Sequence, residues 1–420
     1  MIPRSHTIAA TIAAAALLLA VDPALAVKRR AFVTSITGTG NLGSWPEAGG
    51  ATGLGAGDNI CRNRAAAAGL PNANTYRAWL STDTTDAACH VRGLTGLKGA
   101  CVGGPPQAAG PWFLANGASN FTAGLDELIG PPWKIYRPVL MDEFADILPS
   151  GFGEREYWTG TSESGTHSSL GWNCNGWTNS TPGSEGLIGD GFASSKAWTS
   201  AGNISFCSTP RRLLCFEPGP SEEVTLGWNP GNIVFLTKKT GTGDLSSWPD
   251  ANGQSGIAAG DQICRTLATS AGLPAPESFV AWLSTSSVDA ADRVTANGPF
   301  RRVDAYAIAN SKADLVDGTI QNSLHVHEDG SYLIDPPFGA TTGTLSDGTA
   351  GQTCADWTSA ASASARTVGF PAGARLPDWT EWSTFGCNTA SRLYCVSNRT
   401  ALFWDGFESA GTDRWSAAVP

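Results

Sequence analysis

Charge is scarce in this chain: Asp, Glu, Lys and Arg make up 15% of its 420 residues, and acids outnumber bases by 37 to 27. No basic face can be assembled from so few cations, which excludes a nucleic-acid or heparin surface. Long apolar runs are lacking too. The exception is Thr7 to Val21, with Arg4 and His6 before it and Ala24-Leu25-Ala26 after it. That order reads as a secretory signal peptide over residues 1–26, too short for a retained anchor, and no later segment could span a membrane. Also missing are a nucleophile elbow, a zinc-protease helix and a phosphate loop, so no catalytic constellation is recognisable and no cofactor is called for.

What the chain has in quantity is glycine (50), proline (25) and tryptophan (16). It also has a repeat. The stretch from Phe32 to Val91 returns from Phe235 to Val294 without insertion or deletion: Ser44-Trp45-Pro46 as Ser247-Trp248-Pro249, and Ala78-Trp79-Leu80-Ser81-Thr82 as Ala281-Trp282-Leu283-Ser284-Thr285. The period exceeds that of solenoid units, so each copy should carry its own core. The boundaries read as a first domain over 27–217, a Pro/Gly/Glu linker over 218–232, a second domain over 233–397 and a tail over 398–420. The tail contains Phe403-Trp404-Asp405-Gly406-Phe407 and reads as an attachment signal or an extra edge strand.

Ten cysteines in an exported chain point to disulfides. Cys61, Cys174, Cys207 and Cys215 recur as Cys264, Cys354, Cys387 and Cys395, whereas Cys89 and Cys101 occur in copy one alone and are expected to pair with each other. Four cysteines allow three connectivities, and spacing does not choose among them. No cysteine set has zinc-ligand spacing.

Along each copy, Ala31 to Thr34 reads as a strand. Ile60, Cys61, Ala65 and Ala68 share one face of a helix stopped by Gly69 and Pro71. Asp58 and Arg62, repeated as Asp261 and Arg265, have the spacing of an exposed helical ion pair. Tyr76 to Ser81 reads as another strand. The middles of the copies differ, and divergent loops on a shared frame are where ligands would be read.

Cys61 on a helix, a Tyr/Phe-x-Ala-Trp-Leu-Ser strand, Trp158-Thr159-Gly160-Thr161, Cys174 with Trp177, and the closing Arg212-Leu213-Leu214-Cys215 together resemble endostatin and a family of related bacterial secreted domains. The resemblance implies an α+β class: two tandem C-type lectin-like, endostatin-like domains, disulfide-stapled. It implies the pairs Cys61–Cys215, Cys174–Cys207, Cys264–Cys395 and Cys354–Cys387. The calcium loop and Trp-Asn-Asp strand of sugar-binding lectins are not matched: Ile204-Ser205-Phe206 and Thr384-Phe385-Gly386 stand before the third cysteines. Calcium-dependent sugar binding of the usual kind is therefore not expected.

Three sets of residues stand out as candidates. Trp79, Trp177 and Trp198 recur as Trp282, Trp357 and Trp379 and should be core, whereas Trp133 and Trp172 lack partners and are candidate ligand contacts. His325 and His327, alternate residues on a strand beside Glu328 and Asp329, are the best metal candidate, against a solvated loop. The Asp-Gly turns of copy two need no metal. The expectation is a non-enzymatic recognition or adhesion module, secreted, periplasmic or on the cell surface, binding an extracellular protein or glycan, with no nucleic-acid partner. A hydrolase sited in the divergent middle of one copy and a structural envelope protein are the alternatives.

Overall fold

The computed structural model describes residues 27–402 other than 106, 152, 201, 225, 226 and 337, so the signal segment and the tail beyond Leu402 lie outside the described residues. The first copy contains β1 (Arg29–Val33), β2 (Arg77–Ala78), β3 (Trp112–Leu114), β4 (Asn120–Thr122), β5 (Glu156–Trp158), β6 (Glu185–Asp190), β7 (Ile204–Phe206) and β8 (Arg212–Phe216). The second repeats them as β9 (Gly231–Leu236), β10 (Phe279–Ala281), β11 (Phe300–Arg302), β12 (Ala307–Ala309), β13 (Ala340–Thr341), β14 (Ala365–Gly369), β15 (Ser383–Gly386) and β16 (Arg392–Ala401). Each set forms an eight-stranded sheet, in the orders β4-β3-β1-β8-β5-β6-β7 and β12-β11-β9-β16-β13-β14-β15, with β2 and β10 added beside β8 and β16. The class is α+β, as the resemblance implies.

The middles, divergent in sequence, fold alike. β3 and β11 each run parallel to the first strand of their copy and antiparallel to the next. Val33 donates its N–H to Met141 O as Leu236 does to Val326 O. That equivalence places His327 opposite Asp142 and Glu328 opposite Glu143, two buried glutamates that accept from the backbone N–H of Ser35 and Lys238.

The one long helix of each copy, Gly53–Ala67 or Gly256–Ser270, lies across its sheet. Ile60, Cys61 and Ala65 are buried on its inner face, and Gly69 adopts a left-handed φ of 66° as Leu70 N closes back to Ala65 O. Asp58 corrects the expectation of an exposed ion pair. It is 4% exposed. Its Oδ1 accepts from Ala78 N at 3.1 Å and faces His90 Nε2 at 2.9 Å, while Oδ2 takes Arg77 at 2.9 Å and Arg62 only at 3.4 Å. Asp261 likewise accepts from Ala281 N and from Arg293, while Arg265 bonds Phe279 O instead. The repeated acid is a tie between helix and strand, since a buried carboxylate persists only when its oxygens are satisfied.

All five disulfides form: Cys61–Cys215, Cys89–Cys101, Cys174–Cys207, Cys264–Cys395 and Cys354–Cys387. Four are the pairs the resemblance implies. The repeated tryptophans are core, and their retained neighbours have a reason to be there. Trp79 Nε1 donates to Thr199 Oγ1 and Trp282 Nε1 to Thr380 Oγ1, so each Trp-Thr pair serves a tryptophan elsewhere in its copy. Gly160 and Gly343, at φ near 58° and 57°, pass so close to Trp177 and Trp357 that a Cβ would sit 2.7 and 2.4 Å from the rings.

The copy boundaries shift slightly from expectation. β9 begins at Gly231, and β16 continues to Ala401, pairing with Gly231 and Asn232; Trp228 Nε1 donates to Ala401 O. Ser221 and Glu222 remain bonded to the first copy through Arg29 and Val27.

Candidate functional site

The two copies meet along a seam. The loop after β6 and the loop after β14 exchange reciprocal backbone bonds, Ser194 N to Ala372 O at 2.7 Å and Ala374 N to Phe192 O at 3.0 Å, around an Ala193–Gly373 bridge. These are equivalent positions, because Tyr157 pairs with Gly189 as Ala340 pairs with Gly369. The contact is therefore isologous, like that of a two-fold dimer, within one chain. Next to it Tyr136 stacks on Tyr306 with ring centroids 5.5 Å apart. Arg302, fully buried, donates to Tyr136 O, Ser323 O and Asp304.

Beside the reciprocal bridge lies a cleft of about 310 Å³. Its two walls come from equivalent positions with different chemistry. Copy one presents Arg155 and Asp190 where copy two presents Phe338 and Phe370. Trp382 completes the aromatic wall: 43% exposed, it packs 5.2 Å from Phe370 and edge-on 5.7 Å from Phe385. It also borders a second depression, with Gln352 and Glu381.

On the polar wall, Arg155 binds both oxygens of Asp190 at 2.9 and 3.0 Å, and Arg211 Nε lies 3.0 Å from Glu156 Oε2. Burial raises the Glu156 carboxyl above the usual range against the pull of Arg211. Asp378 is also raised by burial, against Arg155. Lys196 Nζ sits 4.7 Å over the Phe338 ring. Ser195 is 3% exposed, and its Oγ has no hydrogen-bond partner. An orphaned hydroxyl shielded from water costs roughly 1–3 kcal/mol, so its position at a cleft points to a ligand.

The residues singled out from the sequence lie elsewhere. Trp133 and Trp172 are half-buried in separate loops, and neither lines the seam cleft. His325 and His327 are buried at or near the seam rather than in a solvated loop. His325 Nε2 donates to Ile135 O at 2.9 Å, leaving Nδ1 to accept from Ser323 Oγ and Arg302, so neither nitrogen is open to a metal. His327 donates Nδ1–H to Leu236 O. Among the described residues no group of three or more His, Cys, Asp or Glu is placed to hold a metal ion.

Burial, with Arg302 adding to it, holds His325 well below the usual histidine range; burial and then Arg392 bring His327 down to about 4. Both histidines are neutral in the fold, whereas the unfolded chain protonates them below about 6.5. The unfolded state then binds more protons, so stability falls as the pH drops from about 6.5 towards 4, by about 3 kcal/mol for His327 alone. Glu328, raised by burial, pulls the opposite way. Urea titrations from pH 7 to pH 4 should show a shallower decline in His327→Asn than in the parent; parallel curves would refute the assignment.

Trp382, Phe370, Phe338, Ser195, Lys196 and Asp378 escaped sequence reasoning. The usable signal was mismatch between the copies close to matched residues: Trp382 follows the repeated Trp379-Thr380, but no tryptophan follows Trp198-Thr199 at that place. No family model matches the chain, and no curated protein matches it.

Proposed function

We propose that this chain is an exported recognition module of two endostatin-related, C-type lectin-like domains that bind an extracellular protein or glycan in the seam cleft. Five disulfides, and the absence among the described residues of any helix long and apolar enough to cross a membrane, fit an extracellular or periplasmic setting. The domain assignment is supported by the nested disulfides of each copy, a long one from the helix to the last sheet strand and a shorter one closing a loop.

The observation that carries the binding reading is the cleft itself, where positions equivalent in the duplication have become polar in one copy and aromatic in the other. A concave aromatic wall facing convergent polar groups is the usual form of a ligand site. It needs both copies in one chain, which gives the duplication a role. Binding rather than turnover is the reading because Glu156 and Asp190 are held by Arg211 and Arg155.

The test is a screen of residues 27–420, non-reduced and in EDTA, against glycan and extracellular-protein arrays. A saturable hit is expected, and Ala197→Trp, which fills the cleft from a half-buried position, should abolish it. Binding untouched by Ala197→Trp would place the site elsewhere, and silence on both arrays would overturn the recognition reading in favour of a structural envelope role.

A further inference from the structure

We infer that the seam cleft takes an uncharged sugar ring, held without calcium. This rests on reading the cleft as the ligand site and adds the chemistry of its ligand. The aromatic wall of Trp382, Phe370 and Phe338 offers flat apolar faces, which suit the axial C–H face of a pyranose. Trp382 is braced by Phe370 and Phe385, and its backbone N–H donates to Val368 O, so little freedom is lost when a ring stacks on it.

The groups available for polar contact decide the charge. Lys196 can only donate, and its ammonium has a ring rather than a carboxylate as its neighbour in the fold. Asp378, when ionised, can only accept, and the cation that acts on it, Arg155, is paired with Asp190. Ser195 Oγ, buried and unpartnered, can do either. A hydroxyl matches all three, because it donates to a carboxylate and accepts from an ammonium. An anionic ligand would face Asp378 with Glu156 and Asp190 behind it; a cationic one would face Lys196 and Arg155. Like charges brought together in a partly desolvated cleft oppose binding of either kind. The volume, about 310 Å³, lies at the lower end of ligand cavities, which suits one or two sugar rings rather than a folded epitope.

The experiment is binding of residues 27–420, non-reduced and in EDTA, to three sets of immobilised oligosaccharides: neutral, carrying uronic or sialic acids, and carrying free amines. The neutral set should bind. Trp382→Ala should weaken that binding about tenfold or more, Trp382→Phe should retain part of it, and Ser195→Ala should cost about three- to tenfold. Trp133→Ala should leave it unchanged. Binding confined to the acidic or amine sets but sensitive to Trp382→Ala would overturn the ligand class while leaving the cleft as the site. Neutral binding indifferent to Trp382→Ala would overturn the assignment of sugar to this cleft. Failure of all three sets would overturn the sugar, and the extracellular-protein array would then decide the recognition reading separately.

Discussion

Arg302→Ala is expected to destabilise the protein by about 3–5 kcal/mol, because it strips the central cation from the seam. The guanidinium is fully buried and bridges the copies: one arm reaches Tyr136 O, another Ser323 O, and Asp304 closes the pair at 2.7 and 2.9 Å. Burial works against the charge of Arg302, but attraction and hydrogen bonding to Asp304 lead the effects that outweigh it and raise the guanidinium above its ordinary value. With Arg302 gone, Asp304 keeps only Tyr332 as a hydrogen-bonded side-chain neighbour among the described residues, and the Tyr136 carbonyl loses a donor in a region closed to water. Urea unfolding followed by tryptophan fluorescence should show the loss. Arg301→Ala, at the adjacent half-exposed position, should change stability by less than about 1 kcal/mol. Equal effects from the two variants would contradict the role given to Arg302.

Replacing both cysteines of the Cys61–Cys215 bridge by alanine is the second large effect. The bridge closes a separation of 154 residues, and the chain-entropy relation gives about 5 kcal/mol for a loop of that size, against about 3 kcal/mol for the 12-residue separation of Cys89–Cys101. The long bridge also joins the helix to the strand at the centre of the sheet, with both sulfurs in the core. Loss of Cys89–Cys101 should leave the first copy folded, since the second copy holds the same elements without such a bridge. Chemical denaturation of the two double variants tests the order, and a greater loss from the short bridge would overturn it.

Duplication made the frame legible. Residues kept in both copies turned out to be those whose contacts are fixed by the fold: the six core tryptophans, the eight shared cysteines, and Thr199 and Thr380, which receive indole N–H groups. The same filter misjudged Asp58. Its spacing from Arg62 is that of a surface pair, but the strand that buries it approaches from outside the helix and no periodicity registers that approach. The seam was illegible for a related reason. Arg302 on Tyr136 O, His325 on Ile135 O and Tyr136 on Tyr306 are contacts that exist only when one copy packs against the other. A search for matched residues discards such positions, because a cleft with one polar and one aromatic wall is made of mismatches.

The reciprocal backbone bridge between Ser194 and Ala372 and between Ala374 and Phe192 has a consequence for how the protein behaves on dilution. Separate subunits meeting through the same contact would depend on their bulk concentration to stay together. Here the short connection between Glu222 and Gly231 holds the halves at an effective concentration that short linkers set in the millimolar range, whatever the bulk concentration. Closing the seam is a first-order event. A cleft with one wall from each copy is thus formed within a single molecule at any protein concentration.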